Sequence, residues 1–264
     1  MNTVLRPICS WFVVIGAWLG AFQVTAPTAS GQALGPDSTV DAVLDALHAR
    51  GVGLRDFTAD VQLADVDTLS GNTSVQSGQV WFDARAEGQE RVRVTFLSRR
   101  VDGAVDNDAR SDYVLANGVL IERDYKARVE VTRQVLRPGE RINLLKLGEG
   151  PFPLPVGQPR EEVLRQFQVR KLEVAADDPP RTIRLELRPR PDTDFAAKFH
   201  RIEVWVQMET GFPVRIMTVP PRRLNRNVTD LANIRVNAGV PDSVFAMESI
   251  DGKGWRRITE TMPK

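Results

Sequence analysis

Arg91-Val92-Arg93-Val94-Thr95-Phe96 alternates strictly between polar and apolar side chains. Successive residues of a β-strand point to opposite faces, so this run predicts a strand with Val92, Val94 and Phe96 on one side and Arg91, Arg93 and Thr95 on the other. The same period of two recurs on either side of it. Upstream, Phe57, Ala59, Val61 and Leu63 alternate with Thr58, Asp60 and Gln62, and Gly78-Gln79-Val80-Trp81-Phe82 follows the turn at Leu69-Ser70-Gly71-Asn72. Downstream, residues 113–116 and 119–124 flank Asn117-Gly118, a pair suited to the left-handed conformations of a tight hairpin. Residues 128–135 add a strand with Val129 and Val131 on one face. Connections this short predict an antiparallel meander.

The second half reads the same way over residues 169–174, 182–188, 199–208, 213–219 and 228–236. Ile183, Leu185 and Leu187 share one face of their strand, as do Ile202, Val204 and Val206 of theirs. Two segments break the alternation. Val40, Val43, Leu44 and Leu47 recur at helical spacing, with Asp37-Ser38 as the expected N-cap and Gly51 as the stop. Residues 141–167 form a helical-looking interlude: Ile142, Leu144, Leu145 and Leu147, then a Gly/Pro-rich stretch at 148–159. A second helix follows over 160–168, with Val163, Leu164 and Phe167 on one side. The pattern predicts a mainly β (α+β) chain: a strongly curved antiparallel sheet, an incomplete barrel, with helices covering its concave hydrophobic face. A fully packed sandwich is the alternative.

The N-terminus predicts export. Arg6 precedes an apolar run over residues 8–22, shorter than the roughly 20 residues of a membrane-spanning helix, and Gly31-Gln32-Ala33 presents small residues at signal-peptidase positions. The expectation is a signal peptide over 1–33 and a single domain over 34–264, with retention of the leader as an anchor the alternative. Cys9, the one cysteine, lies inside the leader. A mature chain without thiols has no disulfide, cysteine nucleophile or thiolate metal site. The 35 basic and 34 acidic residues nearly cancel, which argues against nucleic acid as a partner.

Catalytic signatures are missing. His48 and His200 stand in no metal-ligand spacing, no serine sits in a Gly-x-Ser-x-Gly elbow, and no glycine loop suits a phosphate. Asp102, Asp106, Asp108 and Asp112 offer hard oxygens for calcium, but their spacing fits no EF-hand, and a solvated hairpin loop is the reading adopted. Asn227-Val228-Thr229 fits a glycosylation sequon but begins an expected strand. Nothing predicts an enzyme, a cofactor or a metal.

Four segments, in order, resemble one family, the periplasmic outer-membrane lipoprotein carriers or LolA-like proteins. They are Gly78-Gln79-Val80-Trp81-Phe82-Asp83-Ala84-Arg85, the hairpin from Asn117 to Tyr125, Leu185-Glu186-Leu187-Arg188-Pro189, and Asn237 with Val240-Pro241-Asp242 and Phe245. Ala86 stands where the family has proline, Asn117 replaces aspartate, and the Asp102–Asp112 stretch lengthens one hairpin. The resemblance implies an incomplete β-barrel whose concave side takes acyl chains of a lipoprotein or related lipid. The implied inner wall is Phe57, Val61, Val80, Phe82, Val92, Val94, Phe96, Leu185, Leu187, Ile202, Val204 and Val206. The implied lid is Leu144, Leu145, Leu147, Val163, Leu164 and Phe167, gated by Arg85. It further implies a periplasmic monomer that works between an inner-membrane exporter and an outer-membrane receptor. A sensor of the same shape, which recognises lipoproteins or envelope proteins without transporting them, is the alternative. Intact-mass measurement of exported protein should show a chain that begins at Leu34; a mature N-terminus at Met1 would contradict cleavage after Ala33.

Overall fold

Alternation in so many short segments demands that they share one sheet, because each strand has a single apolar face to bury. The computed structural model describes residues 33–84, 90–136, 156–222, 224–250 and 254–260. The expected leader, Arg85, and the lid residues Leu144, Leu145 and Leu147 lie outside the described residues.

The first half contributes β1 (Asp56–Asp67), β2 (Thr73–Asp83), β3 (Arg91–Val101), the short β4 (Ala104–Asp106), β5 (Ser111–Ala116), β6 (Val119–Asp124) and β7 (Val129–Gln134). The second contributes β8 (Phe167–Lys171), β9 (Thr182–Pro189), β10 (Arg201–Gln207), β11 (Pro213–Val219), β12 (Asn225–Val236) and β13 (Arg256–Glu260). They form one open sheet in the order β13-β7-β6-β5-β3-β2-β1-β12-β11-β10-β9-β8, with β4 attached to β3. The two meanders join where β1 pairs antiparallel with β12. Every pairing is antiparallel except that of β13, which returns to add a parallel strand beside β7. The expected curved sheet is therefore present and unclosed.

Turn chemistry follows the sequence. Asn117 and Gly118 both adopt positive φ, 52° and 73°, as the tight β5–β6 hairpin requires. Asn237, also at positive φ, pins the entry to β1: its Oδ1 accepts from Arg55 N at 2.8 Å and its Nδ2 donates to Gly53 O at 3.0 Å. At Gly78 a bulge brings β3 so close that a Cβ there would fall 1.8 Å from Thr95 O.

Cross-strand register aligns the inward residues in rows. Phe57 pairs with Phe82, Phe82 with Val92, and Val92 with Leu115. On the other wing Ile216 pairs with Val204 and Val204 with Leu185. These rows make one continuous core, in which Leu185, Ile202, Val204 and Val206 are fully buried. Phe57 stacks on Phe82 at 5.4 Å and meets Phe212 edge-on at 5.9 Å.

The convex face is held by charge. Glu186 accepts from Arg170 and Arg188, Glu203 from Arg184 and Arg201, and Trp205 lies between the guanidinium groups of Arg184 and Arg215. Arg184 is thus paired across strands with Glu203 of β10, whereas Arg188 pairs with Glu186 of its own strand.

Across β3–β7 the same face binds the C-terminal segment. Arg91 reaches Asp242 and covers the Phe245 ring, Arg93 Nη1 donates to Val244 O at 2.7 Å, and Arg123 Nη1 donates to Glu248 O at 3.0 Å. Three arginines on this one face thereby lead the tail across the sheet toward β13.

Three expectations are corrected. Asp112 does not belong to a solvated loop: it lies within β5, is fully buried, and pairs with Arg93 at 2.8 Å and Arg110 at 3.1 Å, because the strand begins earlier than the run of aspartates suggests. The second helix (α2, Arg160–Gln166) stops one residue before Phe167, which opens β8 as a buried strand residue rather than a helix-face residue. The first helix (α1, Val40–Gly51) is capped by Thr39, whose hydroxyl accepts from Ala42 N at 3.2 Å, while Ser38 Oγ accepts from Gly35 N instead. A five-residue helix α3 (Asp194–Lys198), the short β4 and β13 have no counterpart in the alternation pattern.

Asp112 links the sheet to the strap of chain on its convex side. Burial raises its carboxyl pKa, but hydrogen bonds, including that of the Tyr125 hydroxyl, and the Arg93 and Arg110 charges outweigh burial and hold it below the ordinary aspartate value. The ion pair therefore stabilises the fold above the unfolded aspartate pKa of about 3.9, and that contribution fades as pH falls through it toward the folded value. Asp112→Asn should lower unfolding free energy by roughly 3 kcal/mol at neutral pH, because it leaves the largely buried charge of Arg93 without its carboxylate partner. Urea denaturation at pH 7 and at acid pH checks both points: the difference between variant and parent should shrink on acidification.

Candidate ligand-binding face

Helix α1 presents Val43, Leu44 and Leu47 to the concave side of the sheet, and all three are buried in the same core as the inner wall. All twelve inner-wall residues, Phe57, Val61, Val80, Phe82, Val92, Val94, Phe96, Leu185, Leu187, Ile202, Val204 and Val206, join that one core, none more than 6% exposed. Of the expected lid residues that are described, Val163 is buried in the core, Leu164 packs partly against it, and Phe167 meets Phe195 at 4.9 Å. The face that the alternating strands create is thus covered, with α1 seated directly on it.

The roof is fixed at its two ends. At its N-terminal end Lys171 Nζ of β8 donates to Pro36 O at 2.7 Å and Ser38 O at 3.2 Å. At its C-terminal end α1 meets the chain just before α2. Gly157 N donates to Leu47 O at 3.1 Å, and His48 Nδ1 lies 2.9 Å from Gly157 O. A Cβ on Gly51 would fall 2.1 Å from Gly157 Cα, so the two backbones touch at two glycines. Gly157 also has a φ of 85°, which disfavours any side chain. Arg160 of α2 reaches back to Asp45 of α1 at 2.7 Å. This clasp makes α1 and α2 one covering unit.

One group in the clasp is poorly served. Gln158 is 5% exposed, and neither end of its amide has a hydrogen-bond partner among the described residues. An unpaired buried polar group costs about 1–3 kcal/mol, so the closed arrangement carries a built-in penalty. The helix itself is modestly held. Full burial of three aliphatic side chains contributes roughly 5–9 kcal/mol, against an ordering cost of about 1–2 kcal/mol per residue.

Sequence reading placed the inner wall by alternation but missed the clasp. Gly51 read as a helix stop and His48 as an ordinary structural side chain. Their contact with Gly157 joins positions more than a hundred residues apart, and no local pattern encodes it. The nearest sequence signal was the Gly/Pro-rich stretch at 148–159.

Among the described residues no group of three or more His, Cys, Asp or Glu side chains could hold a metal ion, and no helix is long and apolar enough to cross a membrane. No protein-family model and no curated protein matches the sequence. Solved structures are similar to this chain at low sequence identity. An uncharacterized conserved protein from Thermus thermophilus is 12% identical over 83% of this chain and 97% of its own, with a TM-score of 0.46. A LolA superfamily protein from Nitrosomonas europaea is 12% identical over 80% of this chain and 98% of its own, at 0.33. The MucA/MucB complex of Pseudomonas aeruginosa matches at 14% identity over 78% of this chain and 61% of that one, at 0.42.

Two substitutions should move the roof in opposite directions. Gly51→Ala, which forces α1 away from Gly157, should raise hydrogen–deuterium exchange in residues 40–51 and lower stability by about 1–3 kcal/mol. Gln158→Met, which removes the unpaired amide at similar volume, should slow exchange there and stabilise the protein by roughly 1 kcal/mol. Unchanged exchange in both would show that the clasp does not govern the helix.

Proposed function

We propose that this protein is a periplasmic carrier that binds the acyl chains of a lipoprotein, or of a related lipid, on its concave face and releases them toward the outer membrane. The observation that carries the reading is the continuous apolar face made by both wings of the sheet and covered by a helix that is tethered at its ends. Binding works by exchange. An acyl chain takes the place of Val43, Leu44 and Leu47 against the inner wall, and α1 moves aside with α2.

The magnitudes favour such an exchange. At about 0.8 kcal/mol per buried methylene, a sixteen-carbon chain gains roughly 12 kcal/mol on leaving water, comparable with or more than three aliphatic side chains give up. The partly compensating penalty at Gln158 brings the closed and open states nearer in energy, as a carrier that must also unload requires. Neither step needs a catalytic group, so the protein acts by binding and is not an enzyme. Exporter and receptor at the two membranes are the partners this role implies.

The alternative, a sensor of envelope proteins or lipoproteins that does not transport them, draws support from the directness with which α1 seats on the face. A permanently closed face leaves only the outer surfaces for partners.

Two measurements separate the readings. Purified mature protein should bind a fluorescent fatty acid saturably, an acylated peptide should displace it, and Gly51→Ala should speed uptake several-fold. Native protein should carry lipid detectable by mass spectrometry. Absence of both bound lipid and probe binding would overturn the carrier reading and favour the sensor.

A further inference from the structure

The concave face changes chemistry along its own rows. Val94 pairs with Tyr113, Tyr113 with Glu122, and Glu122 with Val131. The neighbouring row runs from Phe96 to Ser111, then Asp124, then Val129. Directly opposed residues point to the same side of a sheet, so Glu122 and Asp124 continue the surface that Val94 and Phe96 begin. The change occurs at Tyr113, whose ring meets Phe96 edge-on at 6.1 Å.

At this polar end a cavity of about 480 Å³ is lined by Arg99, Ser111, Tyr113, Glu122, Asp124 and Lys126, among others. Its charges are of both signs. Arg99 donates through Nε to Ser74 Oγ at 2.9 Å, and its charge acts on Asp106, its cross-strand neighbour on β4. Glu122 is paired with Arg133, and Lys126 with Asp106. Asp124 accepts from Ala127 N at 2.7 Å, which uses one carboxylate oxygen. Ser111 is 8% exposed, and its hydroxyl lies beside the Tyr113 phenol. Burial raises the Tyr113 pKa and the nearby Ser111 hydroxyl lowers it; Glu122 and Asp124 push it further up and Arg99 pulls it back, which places that phenol within reach of both signs of charge. A guanidinium, a buried hydroxyl and two carboxylates thus share a hollow at the end of an apolar surface.

We propose that this cavity holds the zwitterionic head of an amphiphile, its phosphate toward Arg99 and Ser111 and its ammonium toward Glu122 and Asp124, while its chain lies on the apolar rows. The assignment rests on the acyl-binding reading above and refines it, since it names the polar end of the ligand. A guanidinium suits a phosphate through parallel N–H donors, and carboxylates suit an ammonium, so a head with both charges satisfies both sets. A purely anionic head leaves Glu122 and Asp124 facing negative charge, and an uncharged head leaves Arg99 unused.

Displacement of a fluorescent fatty acid from the full mature chain tests this with three competitors of identical acyl length: monoacylglycerol, lysophosphatidic acid and lysophosphatidylethanolamine. The zwitterion should compete about tenfold more tightly than monoacylglycerol, the effect of one added charge-assisted hydrogen bond. Arg99→Ala, at an exposed strand position, and Glu122→Gln should each narrow that ratio to about threefold or less. Equal affinities for the three competitors would overturn the head-group assignment and leave acyl binding standing. So would tightest binding by lysophosphatidic acid, or a ratio that survives both substitutions. Failure of the fatty acid itself to bind would remove both readings together.

Discussion

Everything in this molecule depends on the demand that one side of a long, curved ribbon of strands be kept from water. The rows that run from Phe57 through Phe82 to Val92, and from Ile216 through Val204 to Leu185, place apolar side chains opposite one another on a single face. An open sheet cannot bury that face by closing on itself, so something must lie across it. In this structure the covering element is α1, whose three apolar residues complete the core. The helix is therefore part of the fold and, in the proposed carrier role, the element that would control entry.

That double role explains the contrast between the two faces. On the convex side, Glu186, Glu203 and Asp112 are each gripped by two arginines, and the C-terminal segment is held by main-chain hydrogen bonds from Arg93 and Arg123. These contacts are directional and resist sliding. On the concave side the contact between helix and sheet is apolar and non-directional, so one hydrocarbon surface can replace another without loss of specific bonds. Rigidity is concentrated where the sheet must keep its curvature, and exchangeability where a ligand would enter. The fixed points of α1 lie at its ends, at Lys171 and at the Gly51–Gly157 contact, which leaves its middle held by side-chain burial alone.

Strand patterns were legible in the sequence because their cause is local. Period-two alternation in 91–96 or 202–206 reports which side of the chain meets the core, whatever the partner strand is. The Asn117-Gly118 turn was equally readable, since positive φ at both positions is a property of those two residues. Where local signals mislead, a distant partner decides. Asp112 reads as one more aspartate of a loop until Arg93 and Arg110 arrive beside it, and Phe167 reads as a helix residue until β9 offers it a strand. The parallel return of β13 has no signature in 256–260 at all, because pairing to β7 depends on where Arg91, Arg93 and Arg123 direct the preceding tail.

Sequence by itself determined the mainly β class, the identity of the inner-wall side chains and the amphipathic character of α1, all properties of residues taken a few at a time. Tertiary structure alone decided the order in which strands join, the two-glycine contact that ties α1 to α2, and the passage from apolar to charged residues along one concave surface. The reason is physical: alternation specifies a face, whereas register across neighbouring strands specifies what that face becomes. Val94, Tyr113 and Glu122 are separate letters in the chain, and only hydrogen-bonded pairing sets them side by side.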